Sequence, residues 1–138
     1  MSNIKLKITI PGTFPGLNDF INADRVRRGS WSKGNQVKRE NQEIIANHIL
    51  NFIRREKRRA GFHSRLKPPV VLHYTFYEPN RRRDLDNISG FFHKVFQDAL
   101  VEVGLLKNDN WVNIIGFSDR FECDPANPRI EIEIEEIT

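Results

Sequence analysis

Two carboxylates placed two residues apart, directly after a run of arginines, are the residues of this chain best suited to chemistry. Asp84 and Asp86 follow Arg81-Arg82-Arg83, and a third acid, Asp109, lies further on in a polar stretch. Oxygen ligands of this kind bind hard divalent cations such as Mg²⁺, and neighbouring cations hold a polyanion against the metal. The pattern therefore predicts metal-dependent cleavage of a nucleic acid, with Mg²⁺ as the cofactor and Mn²⁺ as a substitute.

The acidic pair also has simpler interpretations. An Asp or Asn at the start of a helix often caps it by accepting hydrogen bonds from free N–H groups. Capping would explain Asp86 or Asn87, but not Asp84 and the arginines. An Asp-x-Asp pair also serves manganese-dependent glycosyl- or phosphotransferases. Such an enzyme would need a glycine-rich phosphate loop or a nucleotide pocket, and the sequence indicates neither.

The helical pattern behind the pair carries a polar stripe at four-residue spacing, formed by Asp86, Gly90, Lys94 and Asp98. Lys94 is thus about two turns from the carboxylates, on a side that they could share. A cation there could bind the scissile phosphate or stabilise its developing charge. The alternative is an ordinary surface pair between Lys94 and Asp98, which would contribute little energy.

Hydrophobic periodicity predicts the elements that must position these residues. Alternation indicates strands over 4–10, 70–77, 111–121 and 130–137, and three- and four-residue steps indicate helices over 36–59 and 87–103. The buried stripes are expected to contain Ile44, Ile45, His48, Ile49, Phe52 and Ile53 on the first helix, and Ile88, Phe91, Phe92, Val95, Phe96, Ala99, Leu100 and Val103 on the second. The order β-α-β-α-β-β predicts one α+β (mixed α/β) domain over residues 1–138, with a small mixed sheet packed against two main helices.

Basic residues are concentrated in the first half of the chain. Thirteen Lys or Arg stand against three Glu between Arg25 and Lys67, although the whole chain has a net charge of only +4. This excess predicts a surface that faces a polyanion, the alternative being a solvated helix face. Trp31 lies in a polar, basic segment, 25–35, that is expected to be a surface loop. It could stack on a base, but a loop aromatic packed onto the core is the default interpretation.

Composition excludes several other classes. The single cysteine, Cys123, rules out a disulfide framework and a cysteine-rich zinc site. The four histidines show no paired metal-ligand spacing, which argues against a zinc hydrolase. No apolar stretch reaches membrane-spanning length, and the N-terminus has no signal-peptide core. We therefore expect a soluble, cytoplasmic protein with no membrane partner.

Several motifs in order resemble the RusA family of Holliday-junction resolvases. They are Arg82-Arg83-Asp84-Leu85-Asp86-Asn87, Lys94, Asp98-Ala99-Leu100 and Gly104-Leu105-Leu106-Lys107-Asn108-Asp109, with an early Pro11-Gly12, Pro15 and Asn18. The resemblance implies a Mg²⁺-dependent, structure-selective endonuclease, bacterial or phage-encoded, that acts as a homodimer on four-way DNA junctions. It maps the essential acids to Asp84, Asp86 and Asp109, and the basic catalytic-region residues to Arg83 and Lys94.

Two features depart from the family pattern. The helix is about four residues longer between Asp86 and Asp98, one extra turn that keeps the same face. The family often has paired Asp where this chain has Asn108-Asp109. Asn108 can coordinate through its carbonyl oxygen but adds no charge, which makes a catalytically weak or inactive branched-DNA-binding protein the chief rival interpretation.

The resemblance and the charge pattern together predict a division of labour. Asp84, Asp86 and Asp109 would hold one or two Mg²⁺ ions, while Lys94 and Arg83 would bind phosphate. The remaining predicted DNA contacts are Arg27, Arg28, Lys33, Arg54, Arg55, Arg58, Arg59, Arg81 and Arg82. The basic cluster 54–59 has an alternative explanation, because cations at a helix C-terminus favourably oppose the helix dipole.

Overall fold

The computed structural model describes residues 4–60 and 65–137, and the side chains of 57–60 are outside that description. The elements are β1 (Ile4–Pro11), α1 (Leu17–Asp24), β2 (Arg27–Arg28), β3 (Trp31–Ser32), α2 (Lys33–Ala60), β4 (Val70–Glu78), α3 (Leu85–Glu102), β5 (Ile114–Cys123) and β6 (Arg129–Glu136). The predicted α+β class and the order of the six main elements are confirmed.

The main sheet has the strand order β1-β6-β4-β5, and the short strands β2 and β3 form a separate hairpin. β6 pairs antiparallel with both β1 and β4, whereas β4 and β5 are parallel. Parallel neighbours need a crossover connection, and α3 provides it. Consequently the start of α3 lies near the end of β4, and the chain after α3 returns to the beginning of β5.

The core lies between the helices and one face of the sheet. Alternate strand residues enter it, among them Ile8, Tyr74 and Ile132, because successive side chains of a strand point to opposite faces. The other face of β6 carries Glu131, Glu133 and Glu135. Within the described ranges, no helix is both long and apolar enough to cross a bilayer.

Segment 17–32 differs from the predicted loops, because it contains α1 and the β2–β3 hairpin. α1 has eight residues and none of them is fully buried, although the Phe20 ring packs 5.3 Å from that of Phe91. At its start the Gly16 N–H donates to Asp19 Oδ2 at 2.9 Å. The hairpin turns at Gly29, whose φ of 59° suits glycine. Capping, turn geometry and packing of Phe20 and Ser32 against the rest of the protein therefore account for these elements.

Two smaller expectations need correction. β5 begins at Ile114 rather than at residue 111, because Asn110 organises a turn there: its backbone carbonyl accepts the N–H groups of Asn113 and Ile114 at 3.0 and 2.9 Å. In α2, Ile44 is 48% exposed instead of buried, at the edge of an otherwise correctly predicted stripe. On α3, Gly104 follows the C-cap residue Val103 with a φ of 84°, the left-handed conformation that commonly ends a helix.

Candidate active site

Asp84 and Asp86 lie where β4 has ended and α3 begins. The loop between β4 and α3 is fixed by Arg83, whose Nε and Nη2 donate to the two oxygens of Glu78 at 3.0 Å. Arg83 Nη1 also donates to the Phe14 carbonyl at 2.8 Å. Because Glu78 is buried, this bidentate pair is shielded from water and holds the loop firmly. The Arg83 guanidinium is thus bonded to groups inside the fold. Its predicted contact with DNA remains a prediction.

The two carboxylates of the pair are exposed, and capping does not explain them. Asp84 is the N-cap residue of α3, yet its side chain makes no capping hydrogen bond. Asp86 lies in the first turn of the same helix. The positive end of the helix dipole favours negative charge at both positions. The carboxylates are thus held at a favourable place with their oxygens open to the solvent.

Asn87 has a structural role that the sequence did not reveal. Its Oδ1 accepts a hydrogen bond from the backbone N–H of Asn18 at 2.8 Å, so it caps α1 rather than α3. A Cβ at Gly16 would come within 2.6 Å of the same oxygen. The glycine therefore lets the two helices approach, and the contact fixes the start of α3 against α1.

Lys94 belongs to a second polar cluster, further along α3. Its Nζ lies 3.1 Å from Asp98 Oδ1 and 3.6 Å from Asp109 Oδ2. Lys38 of α2 lies 2.8 Å from the other Asp98 oxygen. The hydrogen bond to Asp98 raises the pKa of Lys94. Burial alone would raise the pKa of Asp98, but the hydrogen bonds from Lys38 and Lys94 lower it below the ordinary 3.8.

One chain does not bring the three predicted acids together. Asp109 lies beside Lys94. Lys94 follows Asp86 by eight residues on α3, and eight helical residues span about 12 Å. Within residues 4–60 and 65–137, no three Asp, Glu, His or Cys side chains are grouped to hold a metal ion. The structure thus pairs Asp84 with Asp86, and Asp109 with Lys94, as two separate groups.

Asn108 is used in a local turn. Its Oδ1 accepts the N–H of Asn110 at 3.0 Å. Asn110 Oδ1 in turn accepts the Val112 N–H at 3.2 Å and the Asn113 side-chain amide at 2.9 Å. Such bonds from a side chain to the backbone two residues on are typical of Asn and Asp in turns. The carbonyl oxygen of Asn108 therefore shapes the loop that carries Asp109.

Sequence reasoning missed Asp119, which lines the same pocket as Asp84 and Arg81. Asp119 Oδ1 lies 2.7 Å from His93 Nε2, and the His93 ring packs 4.6 Å from that of Tyr74. Asp119 lies in a mixed polar part of β5, beside Ser118 and Arg120, so the strand pattern alone does not single it out. The pair places another carboxylate on the wall of this pocket.

The side chains predicted to contact DNA differ in their solvent exposure and in whether they already bind another residue. Arg81 and Arg82 are exposed beside Asp84, whereas Arg27 donates to Asp24 at 3.0 Å. The other exposed predicted contacts are Arg28, Lys33, Arg54 and Arg55. The side chains of Arg58 and Arg59 lie outside the described residues.

The two long helices run in the same direction. Lys38 of α2 contacts Asp98, and Gln42 contacts Glu102 at the end of α3. Arg54 follows Gln42 by twelve residues, about 18 Å of helix. The basic part of α2 therefore extends past the end of α3, on the side of the molecule where α3 ends.

β5 forms an unprotected edge of the sheet. In the described part of the chain it pairs only with β4, and its first five residues, 114–118, carry no charge. Large apolar side chains are exposed along and before it: Trp111 (91%), Val112 (72%), Ile115 (53%) and Phe117 (56%). The opposite edge, β1, carries Lys5 and Lys7, which is how isolated edges are usually protected. The β5 edge thus has the character of an interface.

Comparison with known proteins assigns the chain to a family. A family model described as endodeoxyribonuclease RusA matches residues 25–135, most of the 138-residue chain. That range includes the hairpin, both long helices, the acidic pair and Asp109. A search of curated proteins finds no match. The chain therefore belongs to the RusA family of endodeoxyribonucleases.

Proposed function

We propose that this protein is a Mg²⁺-dependent, structure-selective endodeoxyribonuclease that resolves four-way DNA junctions by paired symmetric nicks. The whole chain would act as one endonuclease domain, inside a bacterial or phage-infected cell and as a homodimer. The observation that carries the proposal is the pair of exposed carboxylates, Asp84 and Asp86, beside the free Arg81 and Arg82 at the start of α3. These groups occupy that place in a chain of the RusA family.

The donor set fits magnesium. Asp84, Asp86 and Asp109 offer only oxygen ligands, which hard cations prefer, and the Asp84 carboxylate is free of a capping hydrogen bond. When bound, Mg²⁺ would polarise the scissile phosphate and lower the pKa of the attacking water. Mn²⁺ takes the same ligands and would substitute.

A homodimer would resolve the separation of Asp109 from the other two acids. β5 has ten residues, a span of about 33 Å. Asp109 precedes its first residue, while Asp84 shares a pocket with Asp119 and Cys123 near its last ones. A two-fold axis that pairs β5 antiparallel with the β5 of a second copy brings opposite ends of the two strands together. Asp109 of one copy then approaches Asp84 and Asp86 of the other.

The exposed surface supports this mode of association. Antiparallel pairing of one strand with its own copy is self-complementary, as a two-fold interface requires. It would satisfy the unpaired backbone groups of the β5 edge and cover Ile115 and Phe117, and Trp111 and Val112 would reach the partner. Two equivalent sites also match a four-way junction, which offers two symmetric strands.

The side chains divide the remaining tasks. The Glu78–Arg83 pair holds the Asp84 loop in place, so the carboxylates need little reorganisation when DNA binds. Arg81 and Arg82 are placed to neutralise the phosphates next to the reacting one. Lys94 Nζ lies 3.6 Å from Asp109 Oδ2. In the composite site, formed by Asp84 and Asp86 of one copy and Asp109 of the other, Lys94 would be a fixed positive charge. There it would oppose the negative charge that develops on the phosphate.

The principal test uses a synthetic four-way junction and a matched linear duplex, each with Mg²⁺ or with EDTA. We expect paired symmetric nicks in the junction alone, which EDTA abolishes. Nicks that persist in EDTA would contradict the metal mechanism, and equal cutting of the duplex would contradict structure selectivity.

The composite site has its own test. Asp84→Asn and Asp109→Asn are each expected to be inactive, but a re-equilibrated mixture should contain about half mixed dimers. Each mixed dimer has one intact site, so about a quarter of wild-type nicking should return. If tagged copies prove that the subunits have exchanged and nicking stays absent, the three acids must act within one chain.

A second candidate function is that of a branched-DNA-binding protein with weak or no cleavage. The observation in its favour is Asn108, which stands beside Asp109 without a charge and whose carbonyl oxygen is held in the turn. Tight junction binding without nicks, with Mg²⁺ as with EDTA, would establish this function instead. Asn108→Asp would then be the variant expected to gain cleavage.

A further inference from the structure

The hairpin of β2 and β3 has two different faces. Arg27 pairs with Ser32 and Arg28 with Trp31, and adjacent pairs of a ladder point to opposite sides. The inner pair is attached to the protein: Ser32 is buried, and Arg27 binds Asp24. The outer pair is exposed, and Trp31 keeps 44% of its surface open. A guanidinium and an indole therefore stand side by side on the outer face.

The base of the hairpin is rigid. Ser32 Oγ donates to Asp24 Oδ1 at 3.2 Å and accepts the Asn35 N–H at 3.0 Å, so it caps α2. A Cβ at Gly34 would lie 2.8 Å from the Asp24 backbone, which shows how closely α1 and α2 meet here. The Lys33 N–H donates to the Val26 carbonyl at 3.0 Å. Trp31 is thus presented from a fixed support rather than from a loose loop.

Trp31 forms one wall of a cleft against the first turns of α2. The cleft has a volume of about 440 Å³ and is lined by Ser30, Trp31, Ser32, Asn35, Gln36, Arg39 and Glu40. Gln36 Nε2 donates to Glu40 Oε1 at 3.0 Å, across one helical turn. The indole nitrogen makes no hydrogen bond with any residue in the described ranges. An aromatic face, amide groups, one cation and one carboxylate therefore meet in one open cleft.

We propose that this cleft binds an unpaired nucleobase of the DNA substrate. The inference rests on the proposed function, since it assumes a branched DNA in which some bases leave the stack. Trp31 stacks on the base, Asn35, Gln36 and Glu40 face its donor and acceptor edge, and Arg28 and Arg39 meet its phosphates. Stacking on an aromatic side chain beside basic residues is the usual way to bind single strands.

The chemistry of the cleft favours a base over a simple anion. Glu40 would repel a bare phosphate, but a carboxylate accepts hydrogen bonds from exocyclic amino groups such as that of cytosine. Paired bases expose only their groove edges, so the indole face is reached only by a base that has left the stack. The cleft would therefore distinguish branch points from plain duplex, a task that the acidic pair does not perform.

The test compares a short single-stranded oligonucleotide of mixed sequence with a hairpin duplex of the same charge. Single strand should quench the tryptophan emission of the wild type, and Trp31→Phe should lose that part of the quenching while keeping its affinity. Trp31→Ala should bind the single strand about 5- to 150-fold more weakly, the usual effect of one lost stacking contact. Its duplex affinity should be unchanged. Ile44→Ala, with similar exposure on α2, serves as the matched control.

The outcomes separate this inference from the proposed nuclease. Equal single-strand affinity of Trp31→Ala and the wild type would overturn the base-binding cleft, whatever the junction assay gives. Quenching and weakened binding in a protein that never nicks a junction would support the cleft and refute the nuclease. Circular dichroism of Trp31→Ala must match the wild type, and if it does not, the quenching result with Trp31→Phe decides.

Discussion

Neighbouring residues around the start of α3 have opposite roles. Asp84 and Asp86 expose their carboxylates, whereas Arg83 and Asn87 turn inward to Glu78 and to the Asn18 N–H. Residue type and spacing singled out Asp84 and Asp86 as candidate metal ligands, and the structure shows both exposed at the start of α3. Residue type and spacing could not predict the roles of Arg83 and Asn87, because these roles depend on the fold: Glu78 is buried at the end of β4, and Phe14 and Asn18 come from a distant part of the chain.

Asp84→Asn should abolish junction cleavage while binding survives. The substitution removes a metal ligand and also removes a negative charge that repels phosphate, so binding should be equal or tighter. Cleavage is measured with Mg²⁺, and binding is measured by gel shift in EDTA. Glu43→Gln removes an exposed carboxylate from α2 and should leave cleavage unchanged. A wild-type rate for Asp84→Asn would show that the site is misassigned.

Asp98 is expected to stabilise the protein at neutral pH but not in acid. Its pKa is lowered in the folded state by Lys38 and Lys94. The contribution is therefore complete above the unfolded pKa near 3.8 and is lost as the pH falls through the lower folded value. Asp98→Asn should lower the free energy of unfolding by about 1 kcal/mol at pH 7. Urea denaturation should show this difference shrinking at pH 3, and a constant difference would contradict the ion-pair explanation.

At the scale of elements, strong hydrophobic periodicity was enough to predict the long helices and strands and their buried faces. α3 buries Phe91, Phe92, Val95 and Phe96 as predicted, and β6 alternates between Ile inside and Glu outside. α1 and the β2–β3 hairpin were missed because eight helical residues and two-residue strands are too short to show a clear period. Their stability comes from contacts that only the fold provides, such as the cap from Asn87. Short elements held by tertiary hydrogen bonds leave little trace in the local sequence.

The contact between α1 and α3 can be measured with a double-mutant cycle. Asn87→Ala loses a capping hydrogen bond and should cost about 1 kcal/mol of unfolding free energy. Gly16→Ala places a Cβ against Asn87 Oδ1 and should cost about 1–3 kcal/mol. In the double variant the clash is absent, so its loss should be smaller than the sum. Additive losses, measured by urea denaturation, would mean that the two residues do not interact.

At the scale of the whole molecule, the position of Asp109 was the least predictable feature. The extra turn that the resemblance implies for α3 would keep Lys94 on the same face, but it would also add about 6 Å between the two polar groups. Where the chain leaves α3 and how it reaches β5 decide which groups meet. Those are properties of the complete fold, and motif spacing does not contain them.

Ile115→Lys should convert the proposed dimer into a monomer that binds DNA weakly and does not cut. Lysine at the edge of a sheet opposes pairing with a second strand, and Ile115 is 53% exposed, so folding should be unaffected. Sedimentation gives the mass, and circular dichroism verifies the fold. Ile44→Lys, at a similarly exposed site on α2, should remain dimeric and active. A dimeric, active Ile115→Lys would exclude the β5 interface.

The glutamates on the open face of β6 lie on the side of the sheet away from the basic helix α2. Lys7 and Arg129 offset part of this negative charge, but the basic residues of α2 still leave the two sides unequally charged and give the molecule an electric dipole. In the field of a DNA helix such a molecule experiences a torque, so it turns its basic side forward during the approach. We therefore expect added salt to slow the encounter, because it shortens the range over which this orientation acts.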